Sequence, residues 1–293
     1  MNIIDGKLIA EQIKSEIANE VRKMIDNDIN PPHLAAILVG EDGASQTYVA
    51  SKEKSCKEVG FTSSIYRYPE SISEAELLKV VDFLNDDEEI DGFIVQLPLP
   101  KHISVDKVIE RINPKKDVDG FHPVNAGRML AGLPSYLPAT PFGIMQLIER
   151  YNIETEGKNC VVLGRSNIVG TPMSVLMSRN SKHANATVTL CHSKTQNLKE
   201  ITQKADILIA AIGKPNFVTS EMVKEGAVVI DVGIHRMPSA DTKSGFKLCG
   251  DVDFLNVSKK AGYITPVPGG VGLMTIVALL QNTLKAAKKE IYQ

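Results

Sequence analysis

Tryptophan is absent from this 293-residue sequence, aromatic residues make up only 5% of it, and the formal net charge is only -2. Because there is no basic excess, the composition offers no electrostatic basis for binding nucleic acid or an anionic membrane surface. The sequence also has no apolar run long enough to span a bilayer, and no signal peptide at its start. We therefore expect a cytoplasmic protein whose partners include neither nucleic acid nor a membrane.

Cysteine and histidine are few and widely spaced. The four cysteines (Cys56, Cys160, Cys191 and Cys249) form no C-x-x-C pair, and the six histidines show no H-x-H or H-E-x-x-H spacing. These patterns give no support to a metal site. Scattered cysteines in a chain of this length are typical of reduced, mostly buried thiols rather than of a disulfide framework.

The remaining composition is that of an ordinary globular protein, with 43% apolar and 23% charged residues and enough length for two domains. In the first part of the chain, apolar runs typical of buried strands alternate with segments of helical spacing. The predicted elements are a helix over 7–25, a strand over 33–39, a helix over 44–58, a strand over 63–68, a helix over 73–84 with Ser73 as its N-cap, and a strand over 91–97. This βαβ alternation predicts a mostly parallel sheet covered by helices.

Residues 113–141 differ from what precedes them, because they are rich in proline, glycine and aspartate and show little periodicity. We expect loops and a crossover there, followed by a second domain. Its predicted strands are 160–163, 186–191, 207–211 and 227–232, and a last helix is predicted over 274–289. The predicted fold class is α/β, with two α/β domains flanking a cleft: residues 1–139 with the C-terminal helix 274–293, and a Rossmann-like domain over 140–273.

The segment from Cys160 to Gly170 carries the most informative local pattern of the second domain. A short apolar strand breaks into the turn Gly164-Arg165-Ser166 and continues into a helix over 171–176. Strand, glycine turn and helix together hold a dinucleotide pyrophosphate at a helix N-terminus, although Ser166 stands where the second glycine of G-x-G-x-x-G would be. By itself the pattern also fits a tight turn in any α/β domain.

The end of the next predicted strand bears on which dinucleotide would bind. An NAD site of this kind uses a carboxylate there to hold the ribose hydroxyls, but the sequence reads His192-Ser193-Lys194-Thr195 and has no acid. Together with Arg165 in the turn, these residues favour a ribose phosphate, and hence NADP as the cofactor. The alternative is a generic polar loop end.

Polar residues of the first domain fall where open α/β sheets bind ligands, beyond the carboxyl ends of the strands. Gln96 ends the third predicted strand just before a proline, which favours a side chain that faces a cleft. Tyr48 and Lys52 lie four residues apart on one helix face, but spacing alone favours a solvated lysine. Asp117 and Asp119 precede Gly120, and an Asx-type turn is the simplest interpretation of that pair.

Six motifs of this sequence occur together, and in this order, in one known family. They are Tyr48-Val-Ala-Ser-Lys52, Val95-Gln-Leu-Pro-Leu-Pro100, Lys116-Asp-Val-Asp-Gly120, Gly164-Arg-Ser-Asn-Ile-Val-Gly170, His192-Ser-Lys-Thr195 and Pro266-Val-Pro-Gly-Gly-Val-Gly272. On these motifs essentially the whole chain closely resembles the bifunctional methylenetetrahydrofolate dehydrogenase / methenyltetrahydrofolate cyclohydrolase family. There, the glycine-to-serine change in the turn is the normal form. The resemblance implies an enzyme of one-carbon metabolism and purine biosynthesis. It would oxidise 5,10-methylenetetrahydrofolate with NADP and hydrolyse the methenyl product to 10-formyltetrahydrofolate.

The resemblance also implies roles for individual residues. The expected catalytic residues are Lys52, Gln96, which would be hydrogen-bonded to the lysine, and Tyr48, which would pack beside the folate. Asp119 would bind the pterin, and Gly270 would join the substrate site. The expected NADP-binding residues are Thr140, Gly164, Arg165, Ser166, Ser193 and Ile234. The family further implies a homodimer formed through the second domain, and a last helix that packs back on the first domain.

Two positions depart from the family pattern. The family usually has proline where this chain has Leu273, and often has Cys-Thr-Pro where this chain has Ala139-Thr140-Pro141. Neither change removes an expected catalytic group, but both bear on the fit of folates or inhibitors. Two other functions remain open at this point: a shikimate-dehydrogenase-like NADP oxidoreductase, and a non-catalytic NADP-binding regulator. A third possibility is that only one of the two folate activities survives.

Overall fold

The computed structural model describes residues 1–239, 242 and 245–292. Its helices are α1 (Gly6–Asp26), α2 (Gly43–Val59), α3 (Glu74–Asp86), α4 (Val105–Arg111), α5 (Pro123–Leu130), α6 (Ala139–Arg150), α7 (Gly170–Ser178), α8 (Leu198–Thr202), α9 (Phe254–Val257) and α10 (Val271–Ala287), with a 3-10 turn at Ser220–Met222. Its strands are β1 (Asn2–Ile3), β2 (His33–Val39), β3 (Thr62–Tyr68), β4 (Gly92–Val95), β5 (Asn159–Leu163), β6 (Thr187–Cys191), β7 (Ile207–Ala210), β8 (Val228–Asp231), β9 (His235–Pro238), β10 (Phe246–Cys249) and β11 (Tyr263–Ile264).

The chain divides into two compact units. One combines Met1–Ala10 with Thr140–Thr275, and we call it the six-stranded unit. The other combines Glu11–Ala139 with Ile276–Gln293, and we call it the three-stranded unit. Gln293 and residues 240, 241, 243 and 244, which fall within the domains expected from the sequence, lie outside the described residues.

The three-stranded unit is built around a parallel sheet with the strand order β3-β2-β4. The central strand β2 is an uninterrupted apolar run after its first residue and is buried there, as parallel strands covered on both faces are. Helix α3 packs its buried Leu77, Val81 and Leu84 into the same core. It starts with a capping box in which Ser73 and Glu76 satisfy each other's backbone N–H groups. The predicted N-cap is therefore confirmed.

The six-stranded unit contains a parallel sheet with the strand order β1-β11-β8-β7-β5-β6. The chain runs from β5 outward to β6 and then returns to β7 on the other side of β5. The order therefore reverses between β5 and β7, and in open α/β sheets ligands bind in the crevice at the carboxyl ends of the strands at such a point. After β8, the strands β9 and β10 form a separate two-stranded antiparallel sheet, which is a hairpin.

Three features differ from the sequence-based expectation. The first residues were expected in the first domain, but β1 pairs with β11, so residues 1–10 belong to the six-stranded unit. The segment 113–141 was expected to be loops, but α5 lies within it, with His122 as N-cap and Pro123 in the first turn. Eight residues are too few for helical periodicity to emerge in a proline- and glycine-rich stretch. The hairpin β9–β10 was not predicted, since His235 to Pro238 has no alternating apolar pattern.

Among the described residues, no helix combines the length and the apolar character that crossing a membrane requires.

Candidate active site and nucleotide site

Lys52 lies on α2, the helix that leads away from the central strand β2. Asp42 starts this helix, because its side chain accepts a hydrogen bond from the Ser45 backbone N–H at 2.8 Å. The side chain of Lys52 points into the unit, and the residue is only 7% exposed. The expectation of a solvated lysine, based on spacing alone, is therefore wrong. Buried lysines are rare, so the position requires a chemical explanation.

The partner of Lys52 is the side-chain amide of Gln96, which follows directly after β4. The lysine Nζ donates to Gln96 Oε1 at 3.1 Å, and Gln96 Nε2 donates to the carbonyl oxygen of Leu97 at 2.7 Å. Because the second bond uses the nitrogen, it turns the oxygen towards the lysine. The same Nζ lies 5.1 Å from the ring centroid of Tyr48, one helical turn earlier. An amide and an aromatic ring hold the amine without supplying a formal negative charge.

The electrostatics of Lys52 and Asp119 are coupled. Burial lowers the pKa of Lys52, and the electrostatic interaction with Asp119 opposes that shift. Burial likewise raises the pKa of Asp119, and Lys52 opposes that shift. Burial therefore works against the ammonium form of the lysine, which makes the neutral amine accessible at lower pH than in water.

The loop that carries Asp119 is held by Asp117. The carboxylate of Asp117 accepts hydrogen bonds from the backbone N–H groups of Phe121 (3.2 Å) and His122 (2.8 Å) and from Asn125 Nδ2 (2.9 Å). Burial raises the pKa of Asp117 to about 7, against the effect of these hydrogen bonds. These backbone donors lie four and five residues after Asp117, not two as in an Asx turn, so Asp117 holds the loop in a way that the sequence did not predict, and the role of Asn125 was also missed. The sequence signal that could have identified Asn125 is its position two residues after Pro123, the proline that starts α5.

In the six-stranded unit, the turn after β5 is shaped by two close backbone approaches. Gly164 has φ +113°, and a Cβ there would collide with the carbonyl oxygen of Ala211, the residue that follows β7. A Cβ at Gly170, the first residue of α7, would collide with the carbonyl oxygen of Gly164. Both positions therefore require glycine. The turn is packed directly against the neighbouring strand end, at the point where the strand order reverses.

Ser166 has a structural role in the same turn. Its hydroxyl accepts from the backbone N–H groups of Val169 at 3.2 Å and Gly170 at 3.4 Å, next to the start of α7. The residue that departs from the glycine pattern thus ties the turn to the helix N-terminus. Arg165 and Ser193 are exposed, the latter just beyond the end of β6. A guanidinium, a hydroxyl and the absence of an acid in 192–195 fit the phosphate of NADP.

The other expected nucleotide residues lie elsewhere in this unit. Thr140, near the start of α6, places its Oγ1 3.0 Å from Thr275 Oγ1. Ile234 is 51% exposed just before β9. Gly270 is buried between Thr265 and the carbonyl oxygen of Pro266, where a Cβ would lie 2.5 Å from that oxygen. It belongs to the six-stranded unit, whereas Tyr48, Lys52, Gln96 and Asp119 lie in the three-stranded unit.

The two positions that depart from the family pattern differ in exposure. Leu273 lies in the first turn of α10 and is 37% exposed, whereas Ala139 is buried at the start of α6.

The comparisons with known proteins cover the whole chain. The model of the tetrahydrofolate dehydrogenase/cyclohydrolase catalytic domain matches residues 4–119, and that of the NAD(P)-binding domain of the same family matches residues 138–291. The bifunctional protein FolD of Bacteroides fragilis is 62% identical over 293 residues, which is 100% of both chains.

Two solved structures are also similar. The bifunctional FolD enzyme of Campylobacter jejuni is 48% identical with a TM-score of 0.92, and the match covers 99% of each chain. The methylenetetrahydrofolate dehydrogenase-cyclohydrolase of Trypanosoma brucei, solved with NADP and an inhibitor, is 36% identical with a TM-score of 0.93 and covers 99% of this chain and 98% of that one. The chain therefore belongs to the tetrahydrofolate dehydrogenase/cyclohydrolase family.

Proposed function

We propose that this chain oxidises 5,10-methylenetetrahydrofolate to 5,10-methenyltetrahydrofolate with NADP and then hydrolyses that product to 10-formyltetrahydrofolate. The observation that carries the proposal is the buried amine of Lys52, hydrogen-bonded to the neutral amide of Gln96. Burial favours the neutral amine of such a lysine, which can then accept a proton at lower pH than a lysine in water, as the hydrolytic step needs. Family membership supplies the substrate class.

The oxidation does not require a protein base. The methylene carbon of the substrate lies between two nitrogens, and a nitrogen lone pair can expel the hydride and leave an amidinium. When bound, NADP supplies the nicotinamide that accepts this hydride. The contribution of the chain is then to orient the folate, so positioning dominates this step. Tyr48, which already lies against the amine of Lys52, has the flat apolar face that stacking on the folate needs.

The hydrolysis requires proton transfer. Water adds to the amidinium carbon as Lys52 Nζ takes one of its protons, and the carbon–nitrogen bond then opens as a proton returns to the leaving nitrogen. Only the neutral amine can accept that first proton, and burial lowers the pKa of Lys52 in the required direction. Gln96 orients the amine, whereas a carboxylate in its place would stabilise the ammonium form.

Binding roles complete the proposal. The carboxylate of Asp119 can accept two N–H bonds from the amino-pyrimidine edge of the pterin, and Gly270 joins the substrate site. Gly164, Arg165 and Ser166 hold NADP at the turn after β5, and Thr140, Ser193 and Ile234 complete the cofactor site. On this basis residues 11–139 form the main part of the folate-binding domain.

Homodimer formation, a cytoplasmic location and a place in purine biosynthesis belong to the same proposal and rest on the family resemblance. The location is also supported by the cysteines, because Cys56, Cys160, Cys191 and Cys249 are all free. Sedimentation of the purified chain at micromolar concentration tests the dimer, and a monomer at all concentrations would refute it.

The decisive experiment follows absorbance of the methenyl product with methylenetetrahydrofolate and either NADP or NAD. We expect formation and decay of methenyltetrahydrofolate, with NADP preferred. Formation without decay would leave only the dehydrogenase. No turnover alongside tight NADP binding would favour a regulator, and oxidation of shikimate would favour the other oxidoreductase. The full-length match to bifunctional relatives favours the folate enzyme over both.

A further inference from the structure

One buried carboxylate in the six-stranded unit accepts four hydrogen bonds from two separate segments of the chain. Asp251, which is completely buried, follows β10. Its Oδ2 accepts from the backbone N–H groups of Ile212 (2.7 Å) and Gly213 (2.9 Å), and its Oδ1 accepts from that of Lys214 (2.9 Å). The fourth donor is His235 Nε2, at 2.7 Å from Oδ1.

The three backbone donors belong to the loop after β7. This loop lies at the reversal of the strand order, opposite the glycine turn after β5. It begins with Ala211, whose N–H donates to the Leu163 carbonyl oxygen at 2.8 Å and whose own carbonyl leaves no space for a Cβ at Gly164. The loop held by Asp251 therefore forms the second wall of the crevice whose first wall is the nucleotide turn.

The fourth donor belongs to a different segment, the start of β9. His235 begins β9 and directly follows Ile234, which is exposed and which belongs to the expected nucleotide site. The same carboxylate thus fastens the loop after β7 and the segment after β8. Gly233 makes this possible, because a Cβ at that position would overlap the Asp251 carboxylate.

The backbone of Asp251 is itself fixed. Asp231, the last residue of β8, accepts from the N–H groups of Asp251 (2.8 Å), Val252 (3.0 Å) and Gly233 (3.0 Å). The Asp231 N–H in turn donates to Thr265 Oγ1 at 2.7 Å. The carboxylate of Asp251 is therefore attached to the end of a central strand, and it can hold the amides of residues 212–214 in a defined position.

We propose that Asp251, with His235, is a positioning residue of the NADP site: it holds the loop 212–214 and the segment at Ile234 in the geometry that the cofactor requires. The inference rests on the proposed function, because it takes the crevice between β5 and β7 as the cofactor site. Neither residue needs to touch NADP. They would act by ordering the loop 212–214 and the segment at Ile234 before the cofactor binds, so that binding carries a smaller entropic cost.

The test makes two measurements on the wild type and on each variant. One is NADP binding by isothermal titration calorimetry, and the other is amide hydrogen exchange at 212–214 in the cofactor-free chain. In Asp251→Asn one of the two oxygens becomes an N–H donor that faces other donors. We expect this variant to bind NADP at least about tenfold more weakly and to exchange the three amides faster. His235→Phe keeps the three backbone bonds, so a loss of about two- to fivefold is expected. Asp253→Asn is the matched control, because its side chain accepts a hydrogen bond from Asn256 Nδ2 in the adjoining helix α9, and we expect it to bind NADP as the wild type does.

A second ligand separates positioning from general damage. Binding of tetrahydrofolate should remain within twofold in every variant, since all the proposed folate-binding residues except Gly270 lie in the other unit. If Asp251→Asn does not fold, His235→Phe decides. Unchanged NADP affinity and unchanged exchange in a folded variant would overturn the inference. Wild-type protein that fails to bind NADP would instead overturn the proposed function and this inference with it.

Discussion

The amine of Lys52 donates a hydrogen bond to the side-chain oxygen of Gln96 across 3.1 Å, and the amide of Gln96 is held in that orientation by the carbonyl oxygen of Leu97. The two residues come from a helix and a strand end that are 44 positions apart. A neutral acceptor positions the amine and leaves its charge undetermined. The proton on Lys52 is therefore governed by burial, by Asp119 and by whatever substrate is bound.

Replacing Lys52 with methionine removes the amine at nearly constant volume. We expect cyclohydrolase turnover to fall by about 10²- to 10⁴-fold, the usual contribution of a positioned acid or base. Some dehydrogenase activity should remain, because that step needs no protein base. Lys54→Met on the same helix is the control, since the side chain of Lys54 is 79% exposed. Near-normal hydrolysis by Lys52→Met, measured as decay of methenyltetrahydrofolate, would remove the lysine from this role.

Gln96→Glu tests whether the acceptor must be neutral. A carboxylate next to the amine favours the ammonium form, so it raises the pKa of Lys52, which burial holds below its usual value. Hydrolysis by the neutral amine increases as pH rises through this pKa. The rise of hydrolysis with pH should therefore move to higher pH. At pH values below the Lys52 pKa of both proteins, turnover should fall about tenfold for each unit by which the pKa rises.

The control for this pH profile is Gln46→Glu, at an exposed position on α2, the helix that carries Lys52. It adds the same charge without contacting Lys52. If hydrolysis rose at the same pH in Gln96→Glu and in the wild type, the neutral amide would not set the protonation of the lysine.

Asp119→Ala should chiefly weaken folate binding. Hydrogen bonds to a charged group contribute about 1.5–3 kcal/mol, so an increase of about 10- to 150-fold in the folate dissociation constant is expected, and both activities should fall at low substrate concentration. Equilibrium titration with tetrahydrofolate measures this directly. Glu88→Ala, at an exposed loop position, should bind normally. An unchanged affinity in Asp119→Ala would exclude the carboxylate from pterin recognition.

Arg165→Ala should change cofactor preference. The guanidinium is exposed at the turn, where it is available to a ribose phosphate. Its loss should lower kcat/KM for NADP by about tenfold or more and leave kcat/KM for NAD nearly unchanged. Arg67→Ala, exposed on a strand of the other unit, controls for the change in net charge. A constant ratio of the two efficiencies would contradict the assignment.

Gly164→Ala tests the close approach of the nucleotide turn to the strand end after β7. Alanine would have to adopt φ +113° and its Cβ would overlap the Ala211 carbonyl oxygen. Gly157→Ala provides a matched comparison: Gly157 has φ +71° but nothing within 4 Å of the added carbon.

Urea unfolding and NADP titration should separate these two contributions. The Gly157 variant should lose about 1 kcal/mol from the left-handed backbone alone, whereas the Gly164 variant should lose about 1–3 kcal/mol more and bind NADP poorly. Equal losses in the two variants would show that the turn can move away from Ala211 without consequence.

The sequence predicted the helices and strands correctly where short segments carry the pattern that defines them. The buried strands β2, β5, β7 and β8 are apolar apart from a polar first or last residue in three of them, and helices α2 and α3 carry their own caps. Elements with little local signal were missed. The two-residue strand β1 is defined only by its pairing with β11, about 260 residues further along the chain, and the hairpin β9–β10 has mostly exposed residues with no alternating pattern.

The sequence alone determined the fold class, the glycine turn after β5, and, through its six motifs, the family and hence the substrate class and cofactor. These are properties of short segments, in which a few side chains and backbone preferences decide the outcome. Only the tertiary structure decided the state of Lys52, whose helical spacing predicted a solvated charge. Burial and charge at one amine are sums over residues that are distant in sequence, namely Gln96, Asp119 and the surrounding core. For the same reason, only the folded chain shows that Asp251 holds three amides nearly forty residues away.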